Sequence, residues 1–153
     1  MRQQQSERLT LFGPSGTRKY LNAAERVRFE RAAARAPPRI KLFCLTLRWT
    51  GGRISEVLAV TPSSLDLDSG VVSLETLKRR KRGIVRQVPL PPSLLTELDR
   101  ELHLCDAQHD PERARVRIWR FSRTTAWRYV KAAMAAAGIV GAPAMPKGLR
   151  HSF

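Results

Sequence analysis

The sequence predicts a mainly α-helical domain with a small antiparallel β-sheet (α+β). Three observations lead to this fold class. An Ala-rich segment opens with Asn22 and Glu25 at capping-box spacing and stops at a Pro-Pro pair. Residues 40–49 then form an apolar run, which predicts a buried helix by its length and Leu content. Finally, residues 71–74 and 84–88 read as strands on either side of a basic run, as in a hairpin.

The first half of the chain supports this assignment element by element. Residues 1–18 are polar with a Gly-Pro-Ser-Gly turn, and we expect a flexible N-terminal arm. The first helix runs from Asn22 to about Arg35. Periodicity alone leaves a strand open for residues 40–49, although length favours helix. Gly51 and Gly52 end that helix, and a short apolar stripe at helical spacing follows them.

The second half is predicted in the same way. A turn occupies residues 66–70 and precedes the hairpin. A Pro-Pro pair then opens a helix with leucines on one face, and residues 106–118 read as a charged loop. Ser122 caps another helix, which Gly138 ends. The predicted core stripe of that helix comprises Ala126, Trp127, Val130, Ala133, Met134 and Ala137. One more helix is predicted to begin at Lys147.

Charge is the strongest compositional signal. The 153 residues hold 28 Lys and Arg against 13 Asp and Glu, which gives a formal net charge of +15. This excess predicts a polyanionic partner, and double-stranded DNA is the leading candidate because each phosphate neutralised releases counterions. An anionic membrane is the weaker alternative, since the basic residues do not lie along one amphipathic helix.

The remaining composition narrows the class of protein. The two cysteines, Cys44 and Cys105, have no ligand neighbours at zinc spacing, so we expect no metal ion and no cofactor. Cys44 is expected to be a buried thiol. The N-terminus lacks the apolar region of a signal peptide, and the apolar run is too short to span a bilayer. We therefore expect a cytoplasmic protein, nucleoid-associated in a bacterium, with no membrane partner.

Two arginine-bearing segments carry the functional signal. The first arginine segment, residues 50–58, reads Thr-Gly-Gly-Arg-Ile-Ser-Glu-Val-Leu, and the second, residues 146–151, reads Pro-Lys-Gly-Leu-Arg-His. Each arginine stands among apolar residues. A guanidinium there keeps its charge and needs an anionic partner. Arg53 and Arg150 therefore predict a buried clamp for a phosphate.

The order and spacing of these segments resemble the catalytic domain of the tyrosine recombinases, the phage integrase family, over residues 19–153. The first arginine segment is similar to that family's first arginine box, and residues 149–153 resemble its second. Between them, Thr76-Leu77-Lys78 and residues 85–90 match the hairpin that carries the family's catalytic lysine. The resemblance implies DNA recombination and integration through a covalent phosphotyrosyl intermediate, without a metal.

The resemblance also implies roles for single residues. Arg53 and Arg150 would hold the non-bridging oxygens of the scissile phosphate. Lys78 would protonate the departing 5′-oxygen. Glu56 would orient the Arg53 guanidinium, and His151 would support the site from beside Arg150.

This chain departs from the family pattern in two places. Lys147 stands where the family usually has a histidine; a lysine still donates a hydrogen bond to phosphate but is a poor base at neutral pH. The nucleophilic tyrosine of the family lies beyond its second box, whereas Tyr20 and Tyr129 both precede it here. We therefore expect a catalytic domain that is incomplete at its C-terminus and inactive alone, with marginal stability, self-association, or assembly with other recombinase protomers on DNA. Some family members supply the tyrosine in trans.

Further basic residues are candidates for DNA contact. They comprise Arg79, Arg80, Lys81 and Arg82 of the hairpin together with Arg123 and Arg128 of the last predicted long helix. Each has a simpler interpretation as part of a solvated surface. Arg53 likewise has one as the partner of Glu56 alone, at a typical worth of about 0.2–0.5 kcal/mol. A non-catalytic DNA-binding module or regulator of integration remains an alternative, and an RNA-binding protein is a third.

Overall fold

The computed structural model describes residues 18–76 and 83–150, which form a mainly helical domain with a small antiparallel sheet. The predicted arm therefore lies outside the described residues except for Arg18. Helix α1, Ala23–Ala34, begins with the capping box that the sequence predicted. The Asn22 side chain accepts a hydrogen bond from the Glu25 backbone N–H at 2.8 Å, and Glu25 accepts one from Asn22 at 3.0 Å. Two backbone N–H groups at the start of the helix are thereby satisfied.

Helix α2, Pro38–Thr50, is the buried helix predicted from the apolar run. Proline occupies its first turn, where the absent N–H costs nothing. Gly51 ends the helix with φ 62°, a left-handed conformation that glycine adopts without a Cβ penalty. Phe43 and Cys44 are fully buried on this helix, so the prediction for the cysteine is confirmed.

Helix α3, Ile54–Leu58, leads into an antiparallel sheet in the order β1-β2-β3. The strands are β1, Leu65–Asp66; β2, Val71–Glu75; and β3, Val85–Pro89. The predicted hairpin is confirmed, with Val72 opposite Val88. Strand β1 falls where a turn was predicted to begin. The turn itself follows the strand, because the Asp66 carboxylate accepts hydrogen bonds from the backbone N–H groups of Asp68 and Ser69.

Helix α4, Pro92–Leu102, forms as predicted, but the charged loop expected after it is partly helical. Helix α5, Leu104–Gln108, and a 3₁₀ turn, Arg113–Arg115, occupy that region. Leu104 is fully buried, and the Gln108 amide donates to the carbonyl oxygens of Pro62 and Leu65. These long-range contacts stabilise a helix whose few apolar residues gave little periodic signal.

Helix α6, Arg123–Ala136, begins at the predicted cap, where Ser122 Oγ accepts from the Thr125 N–H at 3.1 Å. Gly138 follows its end with φ 71°. The predicted core stripe is correct with one exception. Trp127 is 40% exposed, whereas Ala126 beside it is fully buried. Adjacent helical positions differ by about 100° around the axis, so two neighbours cannot both face the core. Here Ala126 faces the core and Trp127 faces solvent.

One apolar core joins these elements. Phe43 of α2 packs edge-to-face against Trp119, with ring centroids 5.4 Å apart, and lies 5.8 Å from the ring of Phe121. Helices α1, α2 and α6 pack around this cluster, and the N-terminal ends of α3 and α6 lie beside each other at its edge. Across residues 18–76 and 83–150, none of the helices combines the length and apolarity needed to cross a membrane.

Candidate active site

Arg53 lies at the N-cap position of α3, directly after two glycines. Its backbone is extended, with φ −80° and ψ 155°, and the residue is half-buried. Gly52 is buried, and a Cβ there would lie 3.1 Å from side-chain atoms of both Leu74 and Val57. The Thr50 hydroxyl accepts a hydrogen bond from the Gly52 N–H at 3.1 Å. The close packing of the Gly51-Gly52 turn therefore fixes the position of the Arg53 backbone at the edge of the core.

Glu56 accepts two hydrogen bonds near the start of α3. Its Oε1 accepts a hydrogen bond from the backbone N–H of Arg53 at 3.0 Å and another from Nη2 of Arg86 at 3.2 Å. The carboxylate is 3% exposed. The role of Glu56 in orienting the Arg53 guanidinium stays a prediction, since the contacts of this carboxylate are with the Arg53 backbone and with Arg86. Glu56 fixes the Arg53 backbone and ties α3 to strand β3, which leaves the guanidinium available for another anion.

The second arginine segment forms a 3₁₀ turn, Pro146–Leu149, where a longer helix was predicted to begin. Gly148 is buried, and a Cβ on it would come within 1.9 Å of the Pro143 carbonyl oxygen. Its own carbonyl oxygen accepts from the Leu21 N–H at 2.8 Å. This close packing stops the α-helical path, and Arg150 follows with an extended backbone, ψ 145°.

The two arginine segments meet in space. Arg150 donates from Nε to the carbonyl oxygen of Gly51 at 3.3 Å. Lys131 of α6 adds a second tie, because its Nζ donates to the Ala144 carbonyl oxygen at 2.6 Å. The loop that precedes the second arginine segment is thus held against α6, and Arg150 is held against the turn that carries Arg53.

An open cavity of about 410 Å³, here called the clamp cavity, lies between these elements. Four cationic side chains line it, and none of its lining residues is acidic. The full lining is Gly52, Arg53, Ile54, Ser55, Arg123, Trp127, Met145, Pro146, Lys147 and Arg150. The sequence led us to expect a buried clamp, but Arg53 and Arg150 are half-buried and Lys147 is exposed. An open, cation-lined cavity admits a phosphate that remains part of a long polymer.

Two residues of the clamp cavity were not anticipated from the sequence. Trp127 and Met145 are 40% and 45% exposed and give the cavity an apolar wall beside its cations. Trp127 lies four positions after Arg123, so both project from the same face of α6. That i, i+4 spacing was visible in the sequence, but Trp127 was assigned to the core instead.

The other predicted site residues are distributed as follows. Arg128 is exposed on α6 and is not among the residues that line the clamp cavity. The predicted general acid Lys78, its neighbours Arg79, Arg80, Lys81 and Arg82, and His151 lie outside the described residues. The structure does describe the base of the hairpin, where the Thr76 N–H donates to the Ile84 carbonyl oxygen at 2.8 Å.

Comparison with known proteins identifies the group to which this fold and site belong. The model of the phage integrase family matches residues 19–153. The chain belongs to the phage integrase family. The match includes both arginine segments and the hairpin between them, in the chain order predicted from the sequence. The comparison with curated proteins found no match for this integrase-family chain.

Solved structures share the fold. The XerA recombinase superposes with a TM-score of 0.64 at 24% identity, over 86% of this chain and 47% of that one. The XerH site-specific recombinase, bound to its difH substrate in a pre-cleavage complex, gives 0.69 at 19% identity, over 88% and 41%. The integrase from mycobacterium phage Brujita gives 0.59 at 20% identity, over 88% and 45%. This integrase-family chain therefore spans less than half the length of each of these structures.

Proposed function

We propose that this chain is the phosphate-binding part of a DNA recombinase or integrase catalytic domain, which cuts and rejoins double-stranded DNA through a phosphotyrosyl intermediate. One observation carries the proposal. Arg53, Arg123, Lys147 and Arg150 converge on one open cavity that has no acidic lining residue. Uncompensated cations around a half-exposed cavity favour an anionic ligand supplied from outside, and a net charge of +15 favours a polyanion.

The cavity fits the charge distribution of phosphoryl transfer. A phosphate under attack by a hydroxyl gathers charge on its non-bridging oxygens, which planar guanidinium groups bind with two parallel hydrogen bonds. Arg53 and Arg150 take this role, and Lys147 donates a further hydrogen bond. When the tyrosine oxygen bonds to phosphorus, the bond from phosphorus to the 5′-oxygen breaks. In this proposal Lys78 gives that oxygen its proton, and His151 supports Arg150.

The attacking hydroxyl comes from elsewhere. The 153 residues contain two tyrosines, and neither Tyr20 nor Tyr129 lines the clamp cavity. Tyr129 instead packs edge-to-face on Phe121, with ring centroids 5.1 Å apart. The complete reaction therefore needs a tyrosine from another segment or another protomer. We expect these residues alone to bind DNA without forming a covalent adduct.

A binding experiment tests the clamp. The R53A/R150A variant should bind a DNA duplex at least about tenfold more weakly, and its salt slope should fall by about one unit for each phosphate contact removed. R31A/R35A is the matched control, because it removes two exposed arginines at the C-terminal end of α1, and it should change affinity little. Equal affinity losses for the two variants would refute the clamp.

A trapping experiment tests the chemistry. A nicked suicide duplex should yield no covalent complex with this chain alone. A covalent complex should form when the chain is mixed with a family recombinase that carries the tyrosine but lacks its own clamp arginines. The DNA should then be linked to that recombinase, because its tyrosine oxygen bonds to phosphorus. The open, cation-lined cavity would equally serve a second candidate, a DNA-binding module without catalytic activity. Binding without any adduct in the mixture would select that module over the catalytic domain.

A further inference from the structure

The clamp cavity continues into two neighbouring cavities. A second cavity, of about 510 Å³, shares Ser55 and Arg123 with the clamp cavity. A third, of about 440 Å³, shares Arg117 and Arg120 with the second. The three cavities therefore form one continuous surface.

Arginine dominates the part of this surface that leads away from the clamp. We call Arg39, Arg113, Arg117 and Arg120 the arginine track; all four are exposed and line the third cavity. Neither the second nor the third cavity has an Asp or Glu among its lining residues. Within the described part of the chain, no hydrogen bond or ion pair engages the guanidinium groups of the track. Like charges that are gathered without counter-charges cost free energy unless an external anion binds.

A fourth cavity shows that this imbalance is not common to every cation-lined cavity of the protein. It is lined by Lys41 and Arg100 but also by Glu97 and Glu101. Lys41 Nζ lies 2.9 Å from the Glu97 carboxylate. The cations of this fourth cavity therefore have neighbouring acids, unlike those of the arginine track, even though the chain as a whole is strongly basic.

The backbone that presents the track is firmly held. Between Arg117 and Arg120, the Ile118 N–H donates to the Val60 carbonyl oxygen at 3.0 Å. Trp119 is 1% exposed and anchors the segment in the core. Two buried side chains thus lie between two exposed arginines. A fixed backbone reduces the ordering cost that a ligand must offset on binding.

The far end of the track is held by a local turn. The Val116 N–H donates to the Arg113 carbonyl oxygen at 3.2 Å. The nearby Asp110 carboxylate accepts hydrogen bonds from the backbone N–H groups of Glu112 and Arg113, at 3.0 and 3.4 Å. The carboxylate therefore stabilises the turn and forms no ion pair with the Arg113 guanidinium.

We propose that the arginine track binds the sugar–phosphate backbone of DNA flanking the phosphate in the clamp cavity. This inference rests on the proposed function and adds a path for the DNA from Arg123 toward Arg39 and Arg113. Several exposed arginines along one surface suit a ligand with repeated phosphates, and contacts to phosphates read no base sequence. The track therefore contributes affinity without sequence specificity.

The test compares two triple variants of the same charge. R113A/R117A/R120A should weaken duplex binding at least about tenfold and lower the salt slope by about two to three units, since each phosphate contact contributes about 0.9. R28A/R31A/R35A, on α1 and its C-cap, removes the same charge from exposed positions that do not line the three cavities, and it should change affinity much less. Equal losses in the two variants would overturn the track.

Further variants separate the track from the clamp and from misfolding. The conservative variant R113K/R117K/R120K should keep most of the affinity, because lysine also neutralises phosphate. Its failure to do so would show that lost structure explains the alanine result. The track variant should lose affinity to the same degree in an R53A/R150A background. If the track substitutions weaken DNA binding but R53A/R150A does not, the proposed function is refuted and the track is not. An affinity loss seen only with duplex RNA would refute the DNA path.

Discussion

Arg150 donates a hydrogen bond from Nε to the carbonyl oxygen of Gly51 at 3.3 Å, across 99 positions of the chain. The bond uses the inner nitrogen of the guanidinium and leaves the terminal nitrogens for a ligand. Arg150 thereby fixes its own position against the turn before Arg53. The two arginine segments form one site because of this contact.

Substitution of Gly148 should disturb the site from a distance. In G148A, the new Cβ would lie 1.9 Å from the Pro143 carbonyl oxygen, so the 3₁₀ turn must shift. We expect a loss of at least about 2 kcal/mol in the free energy of unfolding, measured by urea denaturation, and weaker duplex binding. In G138A the new Cβ meets no atom within 4 Å, although φ 71° makes it strained. G138A should therefore be less stable than the unmodified protein. At temperatures well below its melting temperature, it should still bind DNA with unchanged affinity.

Removal of the Glu56 charge should lower the free energy of unfolding more than removal of the less buried Glu97 charge. E56Q leaves Arg86 without its buried anionic partner, so we expect a loss of about 1–3 kcal/mol in the free energy of unfolding. E97Q breaks the half-buried pair with Lys41, which is more accessible to solvent than Glu56, and should cost less than about 1 kcal/mol. A double-mutant cycle of E56Q with R86A measures the coupling. A coupling energy near zero would contradict the proposed tie between α3 and β3.

The exposed indole of the clamp cavity should matter for binding and little for stability. W127A removes the apolar wall beside the cations, where a deoxyribose or base would pack. We expect DNA affinity to fall about tenfold, in line with about 1–3 kcal/mol for an aromatic contact to a base. Trp49 is equally exposed, at 39%, and does not line the cavity, so W49A is the control in a fluorescence-anisotropy titration. Equal effects of W127A and W49A on affinity would contradict this role.

The two thiols should differ in reactivity. Burial raises the pKa of Cys44 from 9.0 to about 12, while Cys105 is exposed. A disulfide reagent at pH 8 should therefore modify one thiol quickly in the folded protein and the second only after denaturation. Rapid modification of both thiols under native conditions would show that α2 opens readily.

The same shift predicts how stability depends on pH. The unfolded chain releases the Cys44 proton above about pH 9, whereas the folded chain retains it until about pH 12. The free energy of unfolding should therefore fall as pH rises through this window, by up to about 1.4 kcal/mol per pH unit from this thiol. C44A lacks this contribution. Its denaturation midpoints should fall less steeply with pH than those of the unmodified protein.

The fold was largely predictable because its signals are local. Asn22 and Ser122 cap helices within one turn of chain, and glycines mark helix ends that need a left-handed residue. The site was only partly predictable because its contacts are long-range. The spacing of Glu56 from Arg53 suggested a local ion pair, yet the carboxylate reaches Arg86, 30 positions away. Likewise, only the packed structure shows that Trp127 faces the cavity and Ala126 the core.

The contact between Arg150 and Gly51 also means that the site can form only late in the synthesis of these residues. A ribosome adds about 5–20 residues per second, so Arg150 is made roughly 5–20 seconds after Gly51. Until then, the turn that carries Arg53 lacks its contact with Arg150, and the basic surface binds nucleic acid only weakly. A nascent chain therefore cannot bind a single phosphate through both arginines until the second arginine segment has docked on the turn before Arg53.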